Sequence, residues 1–183
     1  MAPSEQIAAP TLQELLRNAA LAGEWILDQA RSTVSLKSRS VAGLVPVNGI
    51  FRQITGSGAV SPAGEVSGAI TVVAASIDTR NAKRDTHLRS ADFFDSDNSP
   101  DITFTVAGIE PSGPGVTVTG TLQVRDRARP LTFDGTAAAN GTGEVELDAE
   151  VHVDQVDFGL TWNRMGSVGR DNTMTIHAVF TKQ

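Results

Sequence analysis

Cysteine is absent from the 183 residues, and so is tyrosine. Without thiols there are no disulfides, thiolate metal sites, iron–sulfur clusters or cysteine nucleophiles, and the redox compartment stays open. Aromatic residues make up only 5% of the chain. Excess positive charge is also missing. Fifteen basic against 21 acidic side chains leave a formal net charge of −6, the opposite of what a phosphate-backbone binder shows, so nucleic acid is not expected as a partner. No run of about 18 apolar residues occurs, so no transmembrane helix is expected. Hydrophobic residues reach 40% and charged ones 20%, the balance of one globular domain with a sizeable core rather than a disordered chain.

Catalytic signatures are equally scarce. There is no GxSxG elbow, Walker loop, HExxH pair or GxGxxG after a strand, and no nucleophile with an adjacent base. Of the three histidines, His152 and His177 lie in alternating strands on the phase opposite the apolar residues, so both are expected to face solvent. His87 lies in the polar run from Arg80 to Ser90. On a helix this run would make neighbours of Arg84 and His87, and of Asp85 and Arg89. Asp95 to Asp101 begins like a calcium loop. It has Pro100 where an EF-hand needs Gly and Val106 where the bidentate Glu belongs, so no metal is expected. Asn140-Gly141-Thr142 matches a glycosylation sequon and reads equally as a turn.

The first residues hold no basic n-region, because the first cation is Arg17, and their apolar residues are spaced rather than continuous. This predicts a cytoplasmic protein rather than a periplasmic or secreted one. Thr11 and Glu14 stand at capping-box spacing. Leu12, Leu15, Leu16 and Ala19 then form one stripe. A short amphipathic helix is predicted from Thr11 to Ala22, stopped by Gly23. Residues 1–23 read as an extension and 24–183 as the main domain. The helix would pack on that domain, plug a cavity mouth or lie on a membrane surface. With one Arg and one Glu on its polar side, it is a poor match to Lys/Arg-rich interfacial helices.

Beyond residue 30 the dominant period is two. Ile102, Phe104 and Val106 alternate with threonines, and Val145 to Val153 alternate with acidic residues and His152. This is apolar-in, polar-out antiparallel sheet. About eight strands are predicted, near 32–41, 49–60, 65–77, 101–109, 115–125, 130–139, 143–153 and 173–181. Gly56-Ser57-Gly58 reads as a bulge or bend, and a helical insertion is predicted between the third and fourth strands. Eight long antiparallel strands suit a sandwich or a closed up-and-down barrel. Ten residues span roughly 33 Å of strand. The inward residues are mostly of moderate size, which leaves an apolar tunnel and a close-packed core both open.

Several stretches together resemble one family. Trp25-Ile26-Leu27-Asp28 is followed by Ser32-Thr33-Val34, and Gly49-Ile50-Phe51 lies within Val45 to Phe51. Ser76-Ile77-Asp78-Thr79 precedes the run from Arg84 to Asp95, and Pro100 to Phe104 follows. Gly120 to Arg125, Arg129-Pro130-Leu131 and Val156-Asp157-Phe158-Gly159 complete the set. These stretches resemble the YceI-like family of polyisoprenoid-binding proteins over about residues 24–181. The resemblance implies an all-β, eight-stranded, lipocalin-like up-and-down barrel with an elongated apolar tunnel. It implies binding of a long isoprenoid or similar amphiphile, such as a prenyl phosphate or an isoprenoid quinone, for carriage, storage or sequestration. No catalysis is required, and no cofactor beyond the bound lipid. Two departures stand out. Many relatives carry an export signal where this chain has its amphipathic helix, and Arg125 to Ala128 occupies a turn in which the family often has Gly.

The inward positions expected to line the tunnel are Val34, Leu36, Ile70, Val72, Ile102, Phe104, Val106, Leu122, Phe133, Leu147, Val151 and Ile176, with Trp162 and Met165 forming a wall or lid. Arg84, His87 and Arg89 are the candidates for a polar head. Two other functions compete: an enzyme using His87 with Asp85 as acid–base partners, and an interaction protein whose N-terminal helix docks a partner or a second copy as a homodimer.

Overall fold

The structure, a computed structural model, describes residues 11–40, 45–161 and 171–183. Eleven strands follow a short helix α1 (Leu12–Arg17): β1 (Gly23–Leu27), β2 (Thr33–Ser40), β3 (Val45–Phe51), β4 (Ile54–Val60), β5 (Val66–Val73), β6 (Ile77–Asp78), β7 (Asp101–Ser112), β8 (Gly115–Val124), β9 (Arg127–Asn140), β10 (Glu144–Asp154) and β11 (Asp171–Lys182). A second helix, α2 (Ala82–Arg89), lies between β6 and β7, where the insertion was expected. All described pairings are antiparallel, as alternating Val, Ile and Thr favour.

The ladder closes. β1, β4, β5, β7, β8, β9, β10 and β11 follow one another in hydrogen-bonded order, and β11 returns to β1 through Leu27↔Phe180. Eight strands therefore form a barrel without free edges at this end. At the other end β11 pairs with β2, β2 with β3, and β3 with β6. β1 and β2 thus act as one long strand broken at residues 28–32, and β3 and β4 as another broken at 52–53. Each break is stitched to a neighbour. The Asp28 N–H donates to the Val179 carbonyl at 2.8 Å, and the Val179 N–H donates to Ser32 Oγ at 3.0 Å. Arg31 bridges Asp28 (2.8 Å) and Glu144 (2.7 Å), holding both carboxyls below their ordinary range. At the second break the Arg52 and Gln53 N–H groups donate to Ser76.

Three expectations need correction. β1 was not foreseen, because five residues with two inward apolar positions carry too little period to count. The single strand 49–60 is two strands. Its break falls at Arg52–Gln53, while Gly56-Ser57-Gly58 lies in an unbroken register from Ile54↔Val72 to Val60↔Val66. Those glycines serve close approach instead of a bulge, since Gly58 faces Gly68 across the ladder. The N-terminal helix ends at Arg17 rather than Ala22. Its capping box forms as expected, but the chain leaves the helix through a Schellman turn. The Ala20 N–H reaches the Leu15 carbonyl and the Ala19 N–H that of Leu16. Ala19 takes the left-handed position at φ 59° that Gly usually fills, and Gly23 opens β1 instead.

Apolar packing forms two groups. The larger, with Phe51, Val72, Val118 and Leu122 among its buried members, lies inside the barrel. The smaller joins Leu15, Leu16, Leu21 and Trp25 against the closed end. Among the described residues no helix is long and apolar enough to cross a membrane.

Candidate functional site

Inward side chains of the barrel strands enclose a cavity of about 340 Å³. β2 supplies Val34 and Leu36, and β5 supplies Ile70 and Val72. β7 supplies Ile102, Phe104 and Val106. Leu122 of β8, Phe133 of β9, Leu147 of β10 and Ile176 of β11 complete the ring from the far wall. The period-two reading brings these eleven positions to one interior because alternate residues share a face. Phe104 and Phe133 meet inside with ring centroids 5.4 Å apart. Val151 shares their phase and is buried at 2% exposure, yet it packs in the wall away from the cavity lining. Trp162 and Met165 lie outside the described residues.

Sequence periodicity missed a second set. Phe93 and Phe94, in the segment after α2, reach the cavity, as do Phe51, Phe158 and Leu160. Phe51 and Phe94 stack obliquely at 6.0 Å. The two consecutive phenylalanines sit in irregular chain, where no alternation marks a face. Arg125 holds that segment in place. Its Nη1 donates to the Ala91 and Phe93 carbonyls at 3.4 and 3.3 Å. The same Arg125 occupies the tight β8–β9 turn at φ 56°, which gives the departure from Gly a structural use.

Polar groups gather at the end formed by β2, β3 and α2. Ser38, Arg39, Thr79, Arg84, His87 and the buried pair Gln155–Asn172 line it. Asn81 caps α2 by accepting from the Arg84 N–H at 3.0 Å. Asp85 is buried at 7% exposure and accepts from the Thr79 N–H (2.9 Å) and Thr79 Oγ1 (2.6 Å). Thr79 Oγ1 in turn accepts from Arg84 Nε at 2.8 Å, and the Thr79 carbonyl accepts from Arg84 Nη2 at 3.1 Å. A buried carboxylate thus orients Thr79, and Thr79 orients the guanidinium at the cavity. Just before it in the chain, Asp78 receives the Arg80 N–H and the Arg52 guanidinium, which hold its carboxyl below the ordinary value.

His87 also lines the cavity, with its Nε2 2.9 Å from Asp92 Oδ2 and its ring edge-on to Phe93. Asp85, the partner the sequence suggested, accepts from Thr79 through Oδ1. Arg89 does not line the cavity. It donates to the Ile77 carbonyl at 2.9 Å, and its buried Nε has no hydrogen-bond partner among the described residues. The calcium-like loop folds as a turn in which Asn98 donates to Asp95, and Asp95 faces Arg125 at 3.9 Å. No group of three or more metal-binding side chains occurs among the described residues. His152 is exposed, and the partly exposed His177 pairs with Asp148 at 2.7 Å on the outer face.

The arrangement offers a long apolar interior with cationic and hydrogen-bonding groups at one end. Such a site suits an amphiphile whose tail is buried and whose head is held by a few polar contacts.

Comparison with known proteins bears on the whole barrel. The profile of the YceI-like domain matches residues 25–180. Protein YceI of Escherichia coli O17:K52:H18 is 35% identical over 96 residues, 50% of each chain. The chain spans about half the length of the curated relatives it matches first. Among solved structures, BcnA of Burkholderia cenocepacia superposes with a TM-score of 0.75 at 26% identity, covering 84% of this chain and 98% of its own. The polyisoprenoid binding domain from Saccharophagus degradans superposes at 0.69 over 87% and 98% of the two chains. Its 14% identity makes that likeness one of fold.

Proposed function

The chain belongs to the YceI-like family, and from that premise we propose that it binds a long-chain isoprenoid or similar amphiphilic lipid within the barrel and acts as a carrier, reservoir or sequestering protein. The observation that carries this reading is the cavity itself, apolar along its length and polar at one end. Each methylene moved from water into such an interior contributes about 0.8 kcal/mol. Rotor freezing and lost translation offset much of the total. Tail burial then supplies affinity, while cavity length and the polar end supply selectivity.

At the polar end Arg84 and His87 meet the head, and Arg89 acts behind them by anchoring α2 to the Ile77 carbonyl. A prenyl phosphate or an isoprenoid quinone suits this end, the first through charge-assisted hydrogen bonds to Arg84. The alternative acid–base reading pairs His87 with Asp85, whereas His87 Nε2 lies 2.9 Å from Asp92 and Asp85 Oδ1 accepts from Thr79.

Native mass spectrometry of the protein purified from its own host tests the reading. The wild type is expected to retain a lipid-sized mass. Phe104→Asp or Leu122→Asp, which places an unpaired charge in the apolar wall, is expected to lose it while remaining folded. A folded variant with unchanged lipid content would count against lipid binding. Arg84→Ala should weaken a prenyl phosphate more than a quinone, and equal effects would remove the headgroup role.

A further inference from the structure

A second, smaller cavity of about 110 Å³ lies in the same barrel. Ile70, Val106 and Leu147 line both spaces, so they form a waist between two chambers of one bore. Beyond the waist the walls include Val66, Ile109, Ala137, Val145 and Phe180. Along β7 the interior from Ile102 to Ile109 covers about 23 Å of strand at about 3.3 Å per residue.

This chamber has a floor, and α1 makes it. Leu12 and Leu16 line the chamber together with Leu21 and Trp25. Leu16, Leu21 and Trp25 are buried at 8%, 2% and 4% exposure. The floor is tied down at several points. Trp25 Nε1 donates to the Leu21 carbonyl at 3.0 Å, and Lys182 Nζ donates to that of Ala20 at 3.3 Å. The capping box and the Schellman turn close the two ends of the helix. α1 precedes residue 25, where the match to the YceI-like domain begins.

We propose that α1 is a length stop: the inner chamber takes the hydrocarbon terminus of the bound isoprenoid, and the Leu12–Leu16 floor sets the longest chain the barrel accepts. This rests on the lipid-binding reading above. The head is held at the α2 end, so the tail runs through the waist toward α1. A chain too short leaves the inner chamber empty, and one too long meets buried leucines. Each methylene that no longer fits forfeits its burial.

Delipidated full-length protein is offered a mixed, graded series of linear polyprenols, and the bound species are weighed by native mass spectrometry. The wild type should show a sharp upper limit of length. Ala137→Phe fills the inner chamber and should move the preferred chain down by about one isoprene unit, a step set by methylene burial. Leu12→Ala with Leu16→Ala lowers the floor and should admit longer chains. Val66→Phe, on the facing wall, serves as a second filling variant should Ala137→Phe fail to fold. Circular dichroism confirms the fold of each. Polyprenols bound with one length distribution in wild type and in all folded variants would overturn the length stop and leave the lipid-binding reading standing. A wild type that retains no polyprenol and no lipid from its host would overturn both.

Discussion

Phe104 shows how one side chain is given its room. Its ring projects into the cavity beside Phe133, and the space behind it exists because β8 carries Gly120 at that height. A Cβ at Gly120 would stand 2.5 Å from the Phe104 ring and would press on the Thr105 carbonyl oxygen. The backbone cannot yield as a flexible side chain would. Gly120→Ala is therefore expected to cost about 1–3 kcal/mol, as overpacking does, and to push the ring into the bore. Urea unfolding with the transition slope held constant measures the cost, and an unchanged midpoint would show that the wall gives way easily. At this scale the sequence was informative where alternation held, as in Ile102-Thr103-Phe104. It was silent on Phe93 and Phe94, whose direction comes from Arg125 holding their loop.

The stability of helix α1 depends on pH through its capping box. The Thr11 N–H and hydroxyl both donate to the Glu14 carboxylate, at 2.8 and 3.0 Å. These bonds hold its pKa below the ordinary 4.5, the backbone N–H having the largest effect. A carboxyl with a lowered native pKa contributes stability in full above its unfolded value and loses it as pH falls through the native one. The first turn should thus be unaffected from neutral pH down to about 4.5 and loosen below it. Hydrogen exchange at the Leu15 and Asn18 amides, which bond to the Thr11 and Glu14 carbonyls, would register that loosening. In Glu14→Ala the same amides should already exchange faster at neutral pH, with the acid step reduced. A wild type whose exchange follows only the intrinsic acid dependence would refute the role of the cap. The capping box was legible because it is local. The exit of the helix was not, since it takes Ala into a conformation that composition assigns to Gly.

At the scale of the whole molecule, the pairing of β10 with β9 is incomplete. β10 pairs with β9 only from Glu144 to Ala149 and continues to Asp154 against β11 alone, while the first half of β9 pairs with β8. A seam therefore runs between residues 127–134 and 150–154. The 3₁₀ turn Gln155–Phe158 lies beside it, and Gly159 packs on Arg127. Among the described residues, alternate amides from 150 to 153 have no β9 carbonyl opposite them and should exchange orders of magnitude faster than those from 145 to 149, as weakly bonded backbone does. Equal protection would mean that the seam is closed in solution.

The alternating strands from β7 to β11, the identity of most inward residues and the apolar character of the interior were already legible in the sequence. A period of two and well-placed turns are local properties that survive translation into a sheet. Tertiary structure alone decided the rest: the closure of β1 on β11, the breaks at residues 28–32 and 52–53, the hydrogen bonds of Asp85 to Thr79, and the division of the bore by Ile70, Val106 and Leu147. Each depends on groups distant in the chain meeting at a few ångströms, and no pattern along a single strand encodes which distant partner it will meet.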